Sequence, residues 1–377
     1  MLIPLLNKIS ENFPTYSRNC VKNFLVLSLC ILLKETINLN KLKSVVGGVL
    51  GTPDIQADSG YKRLIRIFDN YAFSRLWLDI LSFVFKLISL EGDYLLLDGT
   101  SWKRGEKTYH YLTLCLIHKD VAIPIYWSNL KKLGVSNTKE RISLIKKAKK
   151  EFNLTTKILI ADREYIGTEW FNSLIDNGLN FVIRLRKNAY KKAINQSEGK
   201  SYEALQAKVK RSKVATKALK KAFVLKGIQF YFVILKNPKN APKEPFLYLI
   251  TNLNLPAKAI GDIYSLRWKI EYCFKHLKTN GFQLEQINLK TESRCRLLMA
   301  ITVFAYVISI QEGIKTYKKV PIKTYKDGSK EKQESLFRHG VNKIMAFCLS
   351  FSTFCTYLLT KIEQSKKRKI STIIKNV

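Results

Sequence analysis

Apolar positions recur at helical spacing through residues 1 to 90, with turn signals at VVGGVLGTPD (45–54) and DSG (58–60) ahead of YKRLIRIFDN (61–70). From residue 91 the pattern changes to short β-rich runs: YLLLD (94–98), TYHYLTLCLIH (108–118) and VAIPIYW (121–127), separated by the turns SWKRGEK and KD. These predict an antiparallel meander of three strands. A helix over 137–152, a buried strand KILIAD (157–162), a helix near 168–177 and a strand LNFVIRL (179–185) follow, which together describe a mixed α/β sheet. Regularity then stops near Lys187. The Lys-rich stretch 188–244 holds two weaker strand candidates, AFVLKG and QFYFVILK, before FLYLITNL (246–253) resumes the buried-strand texture. Beyond it the pattern predicts one helix over 257–279, an apolar helix over 294–315, a basic linker (315–332), one helix over 334–363 and a tail SKKRK. The organisation read from the chain is therefore a helical domain (1–90), an α/β domain (91–315) interrupted by a β-rich insertion (188–244), and a C-terminal helical region with basic linker and tail (316–377). No tandem repeat is present. The apolar runs 297–310 and 344–359 read as buried helices: the first is shorter than the roughly 20 residues of a membrane span, and the second is diluted by Ser, Thr and Cys.

Composition narrows the partners. With 377 residues and 46% of them apolar, the chain has ample material for a multidomain core. Its 65 Lys and Arg against 29 Asp and Glu give a formal charge of +36, an excess that calls for a polyanion, and nucleic acid is the expected one. The basic residues are spread from end to end rather than gathered beside one apolar segment, which argues against a membrane surface. On this view the glycine-containing break and following helix, with Tyr61, Lys62 and Arg63 near its start, suit a helix-turn-helix that enters a DNA groove; an ordinary Gly-broken helix pair has the same pattern. Seven scattered cysteines without a C-x-x-C pair read as reduced core residues, and four histidines without zinc spacing leave carboxylates as the metal ligands to expect. The N-terminus lacks the basic and small-residue marks of a signal peptide, so a cytoplasmic protein is expected.

Two buried strands end in aspartate, YLLL before Asp98 and KILIA before Asp162, which places both carboxylates at a sheet rim where ligands collect. Taken singly, Asp98 in DGT also reads as a turn residue, and Asp162 before Arg163 and Glu164 as a cap or salt bridge. The segment YSLRWKIEYCFKHLK (264–278) adds a third carboxylate. Drawn as one helix, it puts Tyr264, Arg267, Glu271 and Lys278 within an arc of roughly 60° and Leu266, Ile270, Cys273 and Leu277 on another flank. A solvated, salt-bridged face would show the same arc. Three carboxylates meeting at one rim repel one another unless divalent cations neutralise them, and hard oxygen ligands suit Mg²⁺ or Mn²⁺. Two such ions about 4 Å apart can hold the attacking and leaving oxygens of a phosphodiester in line.

The stretches LLLDGTSW, ILIADREYIGTEWF and Y-x2-R-x3-E-x6-K resemble the three signature blocks of the bacterial insertion sequence 4 type of DDE transposase, and the separations of 64 and 109 residues between the acids resemble that family too. The resemblance covers roughly 90–315. It implies an RNase H-like α/β core with a β-rich insertion, and a catalytic triad of Asp98, Asp162 and Glu271 binding two Mg²⁺ ions, for which Mn²⁺ can substitute. It further implies cut-and-paste transposition: nicking at the element's terminal inverted repeats, then attack of the freed 3′-hydroxyl on target DNA, with a DNA hairpin in many members. Tyr264, Arg267 and Lys278 would grip phosphates, in a homodimer across two paired ends. Lys275 and Arg163 are also expected among the DNA contacts, and a nucleoid-associated bacterial cytoplasm is the expected location. The chain departs from one branch of the family, in which a tryptophan of the insertion stacks on a flipped base. All five tryptophans here lie outside 188–244, so stacking falls to Tyr190, Phe230, Tyr231 or Phe232, or is absent; those aromatics would equally pack a sheet. Two other readings remain: a catalytically retired, transposase-derived DNA-binding protein, and an RNase H-like nuclease that cuts without joining.

Overall fold

The structure, a computed structural model, describes residues 2–214, 216–237 and 244–366. The opening helices are α1 (Leu2–Ser10), α2 (Arg18–Lys34), α3 (Leu39–Leu42), α4 (Val46–Leu50), α5 (Ala57–Tyr71) and α6 (Leu76–Ile88). Ser17 caps α2 by accepting the Cys20 N–H at 3.2 Å, and Glu35 ends it in the left-handed region at φ 50°. DSG is not a break: it forms the first turn of α5, with Gly60 close to the Lys43 carbonyl, where an added Cβ would stand 2.8 Å from that oxygen.

The middle of the chain supplies β1 (Tyr94–Arg104), β2 (Lys107–His118), β3 (Val121–Asn129), α7 (Thr138–Glu151), β4 (Ile158–Ala161), α8 (Thr168–Asp176) and β5 (Asn180–Leu185). It continues with α9 (Lys191–Gln196), α10 (Tyr202–Arg211), β6 (Ala218–Leu225), β7 (Ile228–Lys236), β8 (Phe246–Thr251), α11 (Ala257–Ser265) and α12 (Trp268–Leu277). Among the described residues eight strands form one sheet in the order β3-β2-β1-β4-β5-β8-β7-β6. The β1/β4 and β4/β5 pairs are parallel and the others antiparallel. The central strands are buried on both faces, which is why Leu95–Leu97 and Leu159–Ala161 form unbroken apolar runs instead of alternating. The insertion extends this sheet: β7 pairs with β8, and β8 with β5. Phe230 and Phe232 are fully buried among Phe171, Phe181, Tyr202 and Tyr248, so they pack the sheet, whereas Tyr190 and Tyr231 are half-buried.

The last elements are α13 (Glu292–Thr316), β9 (Ile322–Thr324), β10 (Lys330–Lys332), α14 (Leu336–Phe347) and α15 (Phe351–Lys366). The basic linker is thus partly a hairpin, turned at Gly328 (φ 80°) with Asp327 accepting the Ser329 N–H at 3.0 Å. The single helix expected over 334–363 is two helices bent by 120°, because Ser350 accepts the Thr353 N–H and starts a new helix. The tail beyond Lys366 lies outside the described residues.

The chain divides into two compact units, one of Glu91–Cys273 and one that joins Met1–Leu90 to the chain from Phe274 onward. By packing, the helices after 273 lie with the N-terminal ones, since α13 packs against α2, α6 and α14. By length and composition α13 could cross a bilayer, yet its apolar side chains are buried within this unit, with Phe304 against Phe24 at 4.9 Å. All seven cysteines are buried thiols.

The α13–α14 crossing depends on glycine. A Cβ at Gly340 would lie 1.7 Å from the Ser309 carbonyl oxygen, and one at Gly313 would lie 2.3 Å from the Leu336 oxygen. Neither backbone oxygen can rotate away. Gly340→Ala is expected to destabilise the protein by about 2–3 kcal/mol in denaturant titrations. Gly48→Ala, whose Cβ would meet nothing within 4 Å in helix α4, should be neutral or stabilise by up to about 1 kcal/mol.

Candidate active site

The site begins with register. In the parallel pair β1/β4, Leu97 stands beside Ala161, so the next residues, Asp98 and Asp162, emerge side by side at the rim, about 5 Å apart at the backbone. Ala161 in turn lies beside Ile183 of β5, which brings Arg184 next to Asp162, Nη1 to Oδ1 3.7 Å. Asp98 is still within β1, opposite Thr113 of β2, and its Oδ1 accepts the Gly99 N–H at 2.8 Å.

The segment expected as one helix is broken where it meets these acids. Leu266 and Arg267 donate their N–H groups to Ile263 and Tyr264 three residues back, at 3.1 and 3.0 Å, which tightens the chain and separates α11 from α12. Tyr264 and Arg267, expected on an exposed polar edge, are both buried. Three polar contacts account for that burial: the Tyr264 hydroxyl donates to Asp162 Oδ1 at 3.2 Å, Arg267 Nη2 donates to Glu271 Oε1 at 2.6 Å, and Arg267 Nη1 lies 3.8 Å from Asp98 Oδ2. The Arg267 guanidinium also lies 4.9 Å from the Trp268 ring centroid. One guanidinium thus stands between two carboxylates, with the third held by a tyrosine and a second arginine.

Burial pushes the Asp98 carboxyl up to about 6; the Gly99 N–H and Arg267 pull it down, while Glu164 and Asp162 add to the rise. Glu164, which the sequence suggested only as part of a cap or salt bridge, is therefore a fourth acid in the field of the site. Burial, then Asp98 and Glu164, also raise the Tyr165 phenol well above its ordinary value. Behind Asp98 the backbone is crowded, since a Cβ on Gly99 would meet His110 Nε2 at 2.8 Å, which explains the glycine of DGT better than a turn does.

Among the described residues no three His, Cys, Asp or Glu side chains stand close enough together to hold a metal ion. The donor chemistry is right for a hard divalent cation, because Asp98 and Asp162 offer adjacent carboxylate oxygens, but Glu271 is turned to Arg267. In this arrangement Arg267 supplies the positive charge that the acids require.

The remaining expected contacts are dispersed. Arg163 is exposed and donates to Glu244 Oε1 at 2.6 Å. Lys275 and Lys278 belong to the helical unit, where Lys275 is exposed and Lys278 pairs with Glu285 at 3.1 Å. Tyr61, Lys62 and Arg63 lie on α5 of that unit, Lys62 exposed and the other two partly so. Sequence reasoning missed Arg184 and Glu244; the only local signal was a charged residue near the end of the otherwise apolar strand FVIRL.

An acid pair thus stands at the rim of a mixed α/β sheet, countered by arginines. Residues 91–308, more than half of the chain, match the family model of the transposase DDE domain, and the chain belongs to that family. Members of this family cut DNA and transfer strands, bind DNA, and in general use divalent metal ions. Among curated proteins there is no match. Among solved structures, one similar chain is the piggyBac transposase in a synaptic complex with hairpin DNA. It is 12% identical over 93% of this chain and 76% of that one, with a TM-score of 0.48, a likeness too distant to assign any residue.

Asp98 makes stability depend on pH. Its pKa rises from 3.8 to about 6 on folding, so ionisation opposes folding: its contribution is present in full below about pH 3.8 and is lost as the pH rises through about 6. In metal-free protein, Asp98→Asn should therefore melt increasingly above wild type between pH 4 and 6. The gain should level off above that, at no more than about 3 kcal/mol.

Proposed function

We propose that this chain is a cut-and-paste DNA transposase of the insertion sequence 4 type, with Asp98, Asp162 and Glu271 as its catalytic acids. The observation that carries this reading is the Leu97/Ala161 register, which brings acids separated by 64 residues to adjacent rim positions within the matched family domain. The strand order β3-β2-β1-β4-β5, with the first acid on β1 and the second just after β4, supports an RNase H-like core. The three acids would hold divalent cations, two Mg²⁺ with Mn²⁺ as substitute, which neutralise phosphodiester charge and lower the pKa of water. Glu271 would do so after leaving Arg267.

The chain's own groups orient the substrate. Arg267, released from Glu271, has a planar fork that matches two phosphate oxygens, and the Trp268 ring lies against it at 4.9 Å. Tyr264 positions Asp162 through its hydroxyl. The helical unit, with Tyr61, Lys62 and Arg63 on α5 and Lys275 and Lys278 after the break, is the proposed reader of the terminal inverted repeats. Two copies of the chain would pair two ends, in a bacterial cytoplasm at the nucleoid. With Phe230 and Phe232 in the core, stacking on a flipped base would fall to Tyr190 or Tyr231, and a hairpin step without stacking is the other outcome.

The test uses a labelled duplex carrying the element's own terminus, with Mg²⁺ or with EDTA, and scores nicks, hairpins and joined products. Wild type should nick and join only with metal, and Glu271→Ala should lose at least about a thousandfold in rate while still binding the duplex. Cutting without joining would favour a nuclease, and tight binding without cutting would favour a retired DNA-binding protein.

A further inference from the structure

Beside the acids, on the side of the inserted strands, lies a cavity of about 620 Å³ whose lining includes Arg163, Arg184, Arg186, Lys187, Gln206 and Glu244. Four cations and one acid face this space. The acid is placed unusually: Glu244 takes Arg163 on Oε1 at 2.6 Å and Arg184 on Oε2 at 2.7 Å, one guanidinium on each oxygen. Two non-bridging oxygens of a phosphodiester present the same pair of acceptors. Arg184 also lies 3.7 Å from Asp162, so the cavity is linked to the rim acids through a single side chain.

Glu244 can leave without unravelling the fold. Its carbonyl is held by Asn237 Nδ2 at 2.8 Å and the neighbouring Pro245 carbonyl by the Asn237 N–H at 2.9 Å, while its side chain remains 44% exposed. The backbone is anchored; the carboxylate is accessible to solvent.

We propose that Glu244 is an internal stand-in for a DNA phosphate: it occupies a backbone-phosphate site formed by Arg163 and Arg184, and a nucleic-acid phosphodiester displaces it. The proposal rests on the DNA-transposase reading and deepens it by assigning a phosphate subsite and a competitor for it. DNA reaching this cavity must exchange one carboxylate for one phosphate, so only a backbone that meets both arginines recovers what is lost. Glu244 thereby weakens loose association of a strongly cationic chain with arbitrary DNA.

The experiment measures binding of the full chain to a random-sequence duplex across a salt series, for wild type, Glu244→Gln, and Glu106→Gln. Glu106 is exposed in the β1–β2 turn and controls for the added unit of charge. Glu244→Gln should bind roughly three- to tenfold tighter near 0.1 M salt, and Glu106→Gln less than about twofold. The gain should vanish when Arg163→Gln and Arg184→Gln are also present, because the freed arginines are its source. Equal or weaker binding by Glu244→Gln, or a gain that survives loss of both arginines, overturns the proposal while leaving the transposase reading intact. Absence of duplex binding by wild type and every variant at low salt overturns the transposase reading and, with it, this proposal.

Discussion

Two carboxylates held side by side at the ends of hydrophobic strands are the constraint on which the site depends. The parallel register of β1 and β4 fixes Asp98 and Asp162 next to each other, and their mutual repulsion must be answered by positive charge. The protein answers it with Arg184 from the adjacent strand and Arg267 from the broken helix, while Tyr264 donates to Asp162. These contacts account for the burial of Arg267 and Tyr264 and for the tightened turn at 266–267. A polar helix face, read alone, would have been a solvated surface; next to the two rim acids, Tyr264 and Arg267 become interior.

How much was legible in the sequence follows from the range of the forces involved. Strands ending in Asp98 and Asp162 could be read because burial on both faces leaves a continuous apolar run, and the meander could be read because its turns are local. The break between α11 and α12 could not, since 257–279 keeps helical periodicity throughout and the interruption arises where its side chains meet acids more than 100 residues away. Arg184 and Glu244 were invisible for a related reason: their pairing spans 60 residues and depends on β8 returning beside β5. The bend at Ser350 carried a local signal, a capping serine, that an apolar run on both sides obscured.

The insertion also changes meaning once its strands are placed. A β-rich segment of its own could move as a separate flap, but β6 and β7 continue the eight-stranded sheet through β8 and β5. Cross-strand hydrogen bonds join β7 to β8 and β8 to β5, the strand that carries Arg184.

The helical unit is discontinuous in the chain: α1 packs on α15, and α2 and α6 on α13, although the whole sheet unit is encoded between them. During synthesis the sheet unit emerges as one uninterrupted stretch and can fold while the first helices still wait for their partners. Those early helices, with faces as apolar as that of α2, remain without their full core until α13 to α15 have left the ribosome. The order of translation therefore completes the eight-stranded sheet before the helical unit has all its helices, and a chain interrupted before α13 would carry the rim acids without a finished helical unit.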